Sequence, residues 1–121
     1  MGAVGLPGDW SSASRFIRAA FVKCNAVYAG DPAADTAQFF HMLDAVSMPK
    51  GAVLVPYEGK ETPEITVYSS CCNTDRGIYY YCTYDNSRIW AVDMHKEDLN
   101  GSTLIAYPLM AENEIPCQNE K

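Results

Sequence analysis

Glu64-Ile65-Thr66-Val67-Tyr68-Ser69-Ser70-Cys71-Cys72-Asn73-Thr74-Asp75-Arg76-Gly77-Ile78-Tyr79-Tyr80-Tyr81-Cys82-Thr83-Tyr84 is the stretch that decides the fold of this chain. Its first part, Glu64 to Cys72, is rich in β-branched and small residues, and strand alternation puts Ile65, Val67, Ser69 and Cys71 on one face. Asn73 to Gly77 has the composition of a turn, and Ile78 to Tyr84 follows as a tyrosine-rich second strand. There Ile78, Tyr80 and Cys82 face one way, and Tyr79, Tyr81 and Thr83 the other. Both sets are apolar or aromatic, so the sheet needs a covering layer on each side.

Downstream, Asp85-Asn86-Ser87 makes another turn before a strand from Arg88 to Met94. A polar connection through Asn100-Gly101 leads to a last expected strand, Thr103 to Tyr107, stopped by Pro108. The final dozen residues read as a loosely held polar tail. Upstream, residues 49–63 carry Pro49, Gly51, Pro56, Gly59 and Pro63 and read as a connecting loop. Before it the period is helical. Ile17, Ala20, Phe21, Cys24 and Tyr28 repeat at helical spacing behind an N-cap at Ser11 or Ser12. A second helix is expected from about Thr36 to Ser47, capped by Asp35, with Phe39, Met42, Leu43 and Val46 as its apolar face. Two helices followed by an antiparallel strand meander define an α+β pattern. Two helices are too few to cover both faces of such a sheet.

With 121 residues the chain has the size of a single domain. Nine Lys and Arg against fifteen Asp and Glu leave a net charge of −6, which opposes phosphate backbones and anionic lipid surfaces. Neither nucleic acid nor a membrane is an expected partner. No apolar run approaches the ~20 residues of a membrane span. Met1 to Asp9 lacks the basic and apolar regions of a secretory signal, so a soluble, cytoplasmic chain is expected. Cys24, Cys71, Cys72, Cys82 and Cys117 are odd in number and irregularly spaced, and read as reduced, mostly structural thiols. His41 and His95 stand apart without zinc-ligand spacing, so no metal or other cofactor is expected.

Chemistry-bearing patterns are sparse. Gly5-Leu6-Pro7-Gly8-Asp9 is glycine-rich but lacks the Lys-Ser/Thr of a phosphate loop, and reads as a turn into the first helix. Arg15 stands out because a cation near the third position of a helix opposes the macrodipole. On a helical wheel it lies opposite Ile17, Phe21 and Cys24. An exposed surface arginine and a cation aimed at an anion or thiolate are both compatible with that position, and periodicity favours the first.

Longer motifs add a resemblance. Gly5 to Phe16, running on through Ala19-Ala20-Phe21, closely resembles a segment of the choloylglycine hydrolases. So do Tyr68-Ser69-Ser70-Cys71-Cys72-Asn73, Gly77 to Tyr81, Thr83-Tyr84-Asp85-Asn86 and Val92 to Leu99, in the same order along nearly the whole chain. The likeness is nearer to bile salt hydrolases than to penicillin V acylases. It implies the αββα layers of an N-terminal nucleophile hydrolase, conjugated bile salts as substrates and a homo-oligomeric assembly. It also implies that Arg15 occupies the position of a family arginine that helps hold the nucleophilic cysteine as thiolate. The resemblance thus reverses the surface reading of Arg15.

The departures carry equal weight. The family mechanism needs a cysteine at the mature N-terminus, whose free α-amino group serves as base. Position 2 is Gly2, and the nearest thiol, Cys24, lies inside a helix. Residues 1–121 are therefore expected to be the C-terminal portion of one choloylglycine hydrolase domain, inactive by themselves. The alternatives are a portion of a penicillin V acylase-like amidase, or a non-catalytic module that pairs with a separately encoded N-terminal half.

Overall fold

The N-terminal turn of the first helix is built from short polar side chains. A computed structural model describes residues 3–113 and 115–119, so Gly2 and the extreme C-terminus lie outside the described residues. The helix α1 spans Ser12–Asn25, with Ser11 as N-cap. The Ser11 hydroxyl oxygen accepts the Ser14 N–H at 3.3 Å, satisfying one of the donors a helix start leaves unpaired. A second helix, α2, spans Pro32–Asp44, and Asp31 accepts the Ala34 N–H at 2.8 Å.

This corrects the expected start at Thr36. Pro32 looks like a breaker, yet its fixed φ suits a first helical position, where its missing N–H costs nothing. Asp35, expected as the cap, sits inside the first turn and accepts the Ala29 and Gly30 N–H groups at 2.7 and 3.1 Å. Phe40, Met42 and Met48 form the small buried centre of this unit.

The segment expected to be a loop holds a hairpin. Strand β1, Val53–Tyr57, pairs antiparallel with β2, Lys60–Glu64, in the register Tyr57↔Lys60 and Val53↔Glu64. Glu58 and Gly59 both have positive φ, 49° and 76°, the backbone of a two-residue hairpin turn. In a two-stranded ribbon each strand keeps a free side, so Pro56 and Pro63 fit without breaking the ladder.

Residues from Val67 onward form a separate compact unit. Its sheet has strands β3, Tyr68–Asn73, β4, Ile78–Thr83, and β5, Trp90–Asp93, in the order β3-β4-β5 and antiparallel throughout. The pairs Cys72↔Tyr79↔Val92 and Ser70↔Tyr81↔Trp90 lie on one face, and Cys71↔Tyr80↔Ala91 on the other. Tyr79 and Tyr81 stack with ring centroids 6.2 Å apart, as residues two apart on a strand should. A single 3-10 turn, Met94–Lys96, follows β5, and Asp93 accepts the His95 N–H there.

Thr103 to Tyr107 is not a strand, contrary to expectation. Leu104 is 91% exposed, and no described strand lies alongside to supply hydrogen bonds, without which strand propensity has nothing to act on. Part of the tail expected to be loose is anchored instead. Asn86 donates to the Glu112 carbonyl at 2.7 Å, the Thr83 hydroxyl to the Met110 carbonyl at 3.4 Å, and the Met110 N–H to the Tyr81 hydroxyl at 3.4 Å. Tyr81, Thr83 and Asn86 are buried beneath these contacts.

Candidate functional site

The densest polar network among the described residues surrounds the start of α1. Asp9 accepts the Ser11 N–H at 2.8 Å and the Ser14 hydroxyl at 2.6 Å, while the Ser11 hydroxyl donates to Ser14 at 3.1 Å. Hydrogen bonds from the Ser11 and Ser14 side chains, then the Ser11 backbone, lower the Asp9 carboxyl from 3.8 to about 2. A carboxylate at this end of α1 also complements the helix dipole.

Two arginines, one helical turn apart, reach from α1 to the segment that ends α2. Arg15 Nε donates to the Val46 carbonyl at 3.0 Å, and Arg18 Nε donates to the adjacent Ala45 carbonyl at 3.2 Å. Carbonyls at a helix C-terminus lack helical partners and carry partial negative charge, so both cations are placed where they are favoured. Arg18 also donates to the Pro7 and Asp9 carbonyls at 2.9 and 2.7 Å, and its guanidinium lies 5.3 Å from the Trp10 ring centroid. Arg18 thus ties the incoming loop, α1 and the end of α2 together.

The helical wheel is corrected here. Arg15 and Arg18 are half-buried, whereas Phe16 and Ile17 are 73% and 46% exposed and Cys24 is exposed. Periodicity ranks positions by side-chain polarity and misses that an arginine stem packs while its head finds carbonyls. Arg15 spends only Nε on the described hydrogen bonds, which leaves its terminal nitrogens for another acceptor. Arg18 and Asp9 escaped the sequence reading. The spacing Asp9-x-Ser11-x-x-Ser14, with arginines three apart behind it, is the signal that marks them.

Other candidates do not assemble. His41 lies 3.7 Å from Asp44 in an exposed contact within α2, and His95 lies beside Gly77. Among the described residues no three His, Cys, Asp or Glu side chains gather as a metal site, and no disulfide forms. Burial, then the neighbouring Cys72, pushes the Cys71 thiol up, the opposite of what an activated nucleophile needs. A cavity of about 690 Å³ lies between residues 86–90 and 109–113, where the Arg88 guanidinium sits 5.7 Å from the Trp90 ring centroid. No described helix is long and apolar enough to cross a membrane.

The model of the linear amide C-N hydrolases, choloylglycine hydrolase family, matches residues 1–107, and the chain belongs to that family. It is 50% identical over 119 residues to a bile salt hydrolase/transferase of Lactiplantibacillus plantarum, covering 98% of this chain and 36% of that protein. The crystal structure of a conjugated bile acid hydrolase variant from Clostridium perfringens superimposes with a TM-score of 0.79 at 39% identity, over 96% of this chain and 34% of that one. A penicillin V acylase from Agrobacterium tumefaciens shares the fold, with a TM-score of 0.62 at 22% identity over 78% of this chain and 29% of that one. The chain spans about a third of the length of these relatives. The α+β expectation and the family resemblance both stand.

Proposed function

We propose that residues 1–121 are the C-terminal portion of a bile-salt-hydrolase-like domain, working in the cytoplasm on glycine- and taurine-conjugated bile salts. The carrying observation is the 50% identity to a bile salt hydrolase/transferase over nearly the whole chain. A penicillin V acylase-like specificity is less favoured, because likeness to that enzyme falls to 22%. The complete enzyme is a homo-oligomer in this reading and needs no cofactor.

In this domain an N-terminal cysteine thiolate attacks the amide carbonyl, its own α-amino group serving as base. The amine leaves, and water then hydrolyses the acyl-thioester. The thiolate and its base are not supplied by residues 1–121, where Gly2 stands at the second position. Arg15 supplies positive charge toward that thiolate. Its Nε is fixed on the Val46 carbonyl, so the guanidinium is oriented before substrate arrives, and its terminal nitrogens are left to face the sulfur. Arg18 holds the neighbouring carbonyl and the preceding loop in place.

The test compares the purified 121-residue chain with a single polypeptide carrying the unmatched N-terminal part of the Lactiplantibacillus plantarum relative in front of it. Glycocholate and taurocholate turnover is expected from the joined protein and not from the chain alone. Turnover by the chain alone, or penicillin V cleaved faster than bile salts by the joined protein, overturns the reading.

A further inference from the structure

We propose that Ser14 is a positioning residue for Arg15: its buried hydroxyl holds the Asp9 carboxylate off the Arg15 guanidinium, which thereby keeps its positive charge for the cysteine thiolate. This rests on the role of Arg15 in the functional reading above and adds the side chain that protects it.

The first observation is the burial of Ser14, 6% exposed and the one buried residue of α1. Further chain around it can only deepen that burial. Capping does not require its hydroxyl. The Ser11 hydroxyl oxygen already accepts the Ser14 N–H at 3.3 Å, and the Ser11 carbonyl accepts the Arg15 N–H at 3.0 Å. Alanine at this position would favour the helix more. The Ser14 hydroxyl bonds side chains instead, donating to the Asp9 carboxylate at 2.6 Å and accepting from the Ser11 hydroxyl at 3.1 Å.

The second observation is where Asp9 does not go. One carboxylate oxygen takes the Ser11 N–H at 2.8 Å and the other takes Ser14, so neutral donors occupy both. Arg18 donates to the backbone carbonyl of Asp9 at 2.7 Å, which brings a guanidinium beside this residue. Among the described residues neither Arg15 nor Arg18 nevertheless pairs with a carboxylate. The Asp9 carboxyl is held at about 2, so it is an anion wherever a thiolate exists and is kept in place by geometry rather than by protonation.

The third observation is the difference between the arginines. Arg18 has Nε and a terminal nitrogen engaged on the Ala45, Pro7 and Asp9 carbonyls. Arg15 has only Nε engaged, on the Val46 carbonyl. A carboxylate released by Ser14 therefore finds open donors on the next residue of the same helical turn, in the planar fork that carboxylates prefer. That pair would neutralise the cation and raise the pKa of the thiol facing it.

Substitutions in the joined polypeptide described above test this. Ser14→Ala should lower kcat/KM about 10-fold at neutral pH and raise the acidic limb of its pH profile by about one unit. Adding Asp9→Asn should restore most of both, because an amide carries no charge to neutralise Arg15. A purely structural network predicts the reverse, a deeper loss when a second member is removed, and that result overturns the proposal, as does an unmoved limb in Ser14→Ala. Asp9→Asn alone decides it should Ser14→Ala not fold: its acidic limb should not rise, and a rise overturns the proposal. A crystal structure of the Ser14→Ala protein should show the Asp9 carboxylate on a terminal nitrogen of Arg15. A carboxylate turned to solvent there overturns the proposal whatever the turnover. No bile salt turnover by the unsubstituted joined protein defeats the functional reading, while that crystal structure still decides what Ser14 holds.

Discussion

Asp9 shows how much of this molecule is decided by single polar atoms. Its carboxyl is held at about 2 in the folded chain against an ordinary 3.8, so the unfolded chain binds the proton more tightly. The stability it contributes is complete above about pH 4 and is lost as pH falls toward 2. Circular dichroism between those values should show acid loss of helix in the parent chain and a flatter response in Asp9→Asn. Ser11→Ala removes the N-cap acceptor and should cost about 1 kcal/mol in urea unfolding. Arg15 and Arg18 separate by assay in the joined protein. On the role proposed for Arg15, Arg15→Leu should lower kcat/KM by about 100-fold and move the acidic limb of the pH profile upward, because the thiolate would lose its cation. Arg18→Met should act on stability, since its bonds are to the Pro7, Asp9 and Ala45 carbonyls. A Tm fall with an unchanged pH profile is the expected outcome.

At the scale of elements, turns with left-handed backbone are the exposed weak points. Gly59 has φ 76° in the β1-β2 turn, and Gly59→Val should destabilise that hairpin by about 1–2 kcal/mol. At Gly77, φ 62°, an added Cβ would also lie 2.7 Å from the Met94 side chain and 2.8 Å from His95. Those neighbours are flexible ends that can shift, so Gly77→Ala should cost about as much as the backbone alone dictates. Urea midpoints of the two variants check both. The same elements show what the sequence discloses. The β3-β4 hairpin and α1 are legible because their apolar periods are local facts. The start of α2 and the β1-β2 ribbon are not, since proline's tendency to break elements is visible in the sequence while the positions that make it harmless are not. Thr103 to Tyr107 fails in the opposite way, having strand-like residues and no strand beside them. The family resemblance of the segment around Arg15 is legible, but the half-buried pose of that side chain depends on the Val46 carbonyl about thirty residues away.

At the scale of the whole molecule, exposure dominates. Large apolar side chains such as Phe16, Tyr68, Tyr79 and Leu104 lie open to water, and the buried centres are small. A dye that fluoresces on apolar surface should bind the isolated chain strongly and the joined protein weakly, and light scattering should rise with concentration only for the former. Equal dye binding by both would count against the idea that the remainder of the domain covers these groups.

Every strand pairing among the described residues joins consecutive strands, two of the hairpins closing at Tyr57↔Lys60 and Asn73↔Ile78. Such ladders close short loops and form on the microsecond scale, without waiting for distant sequence. In a full-length family member these hairpins would therefore be early kinetic events. The slow phase of refolding would belong to their capture by chain made long before them on the ribosome.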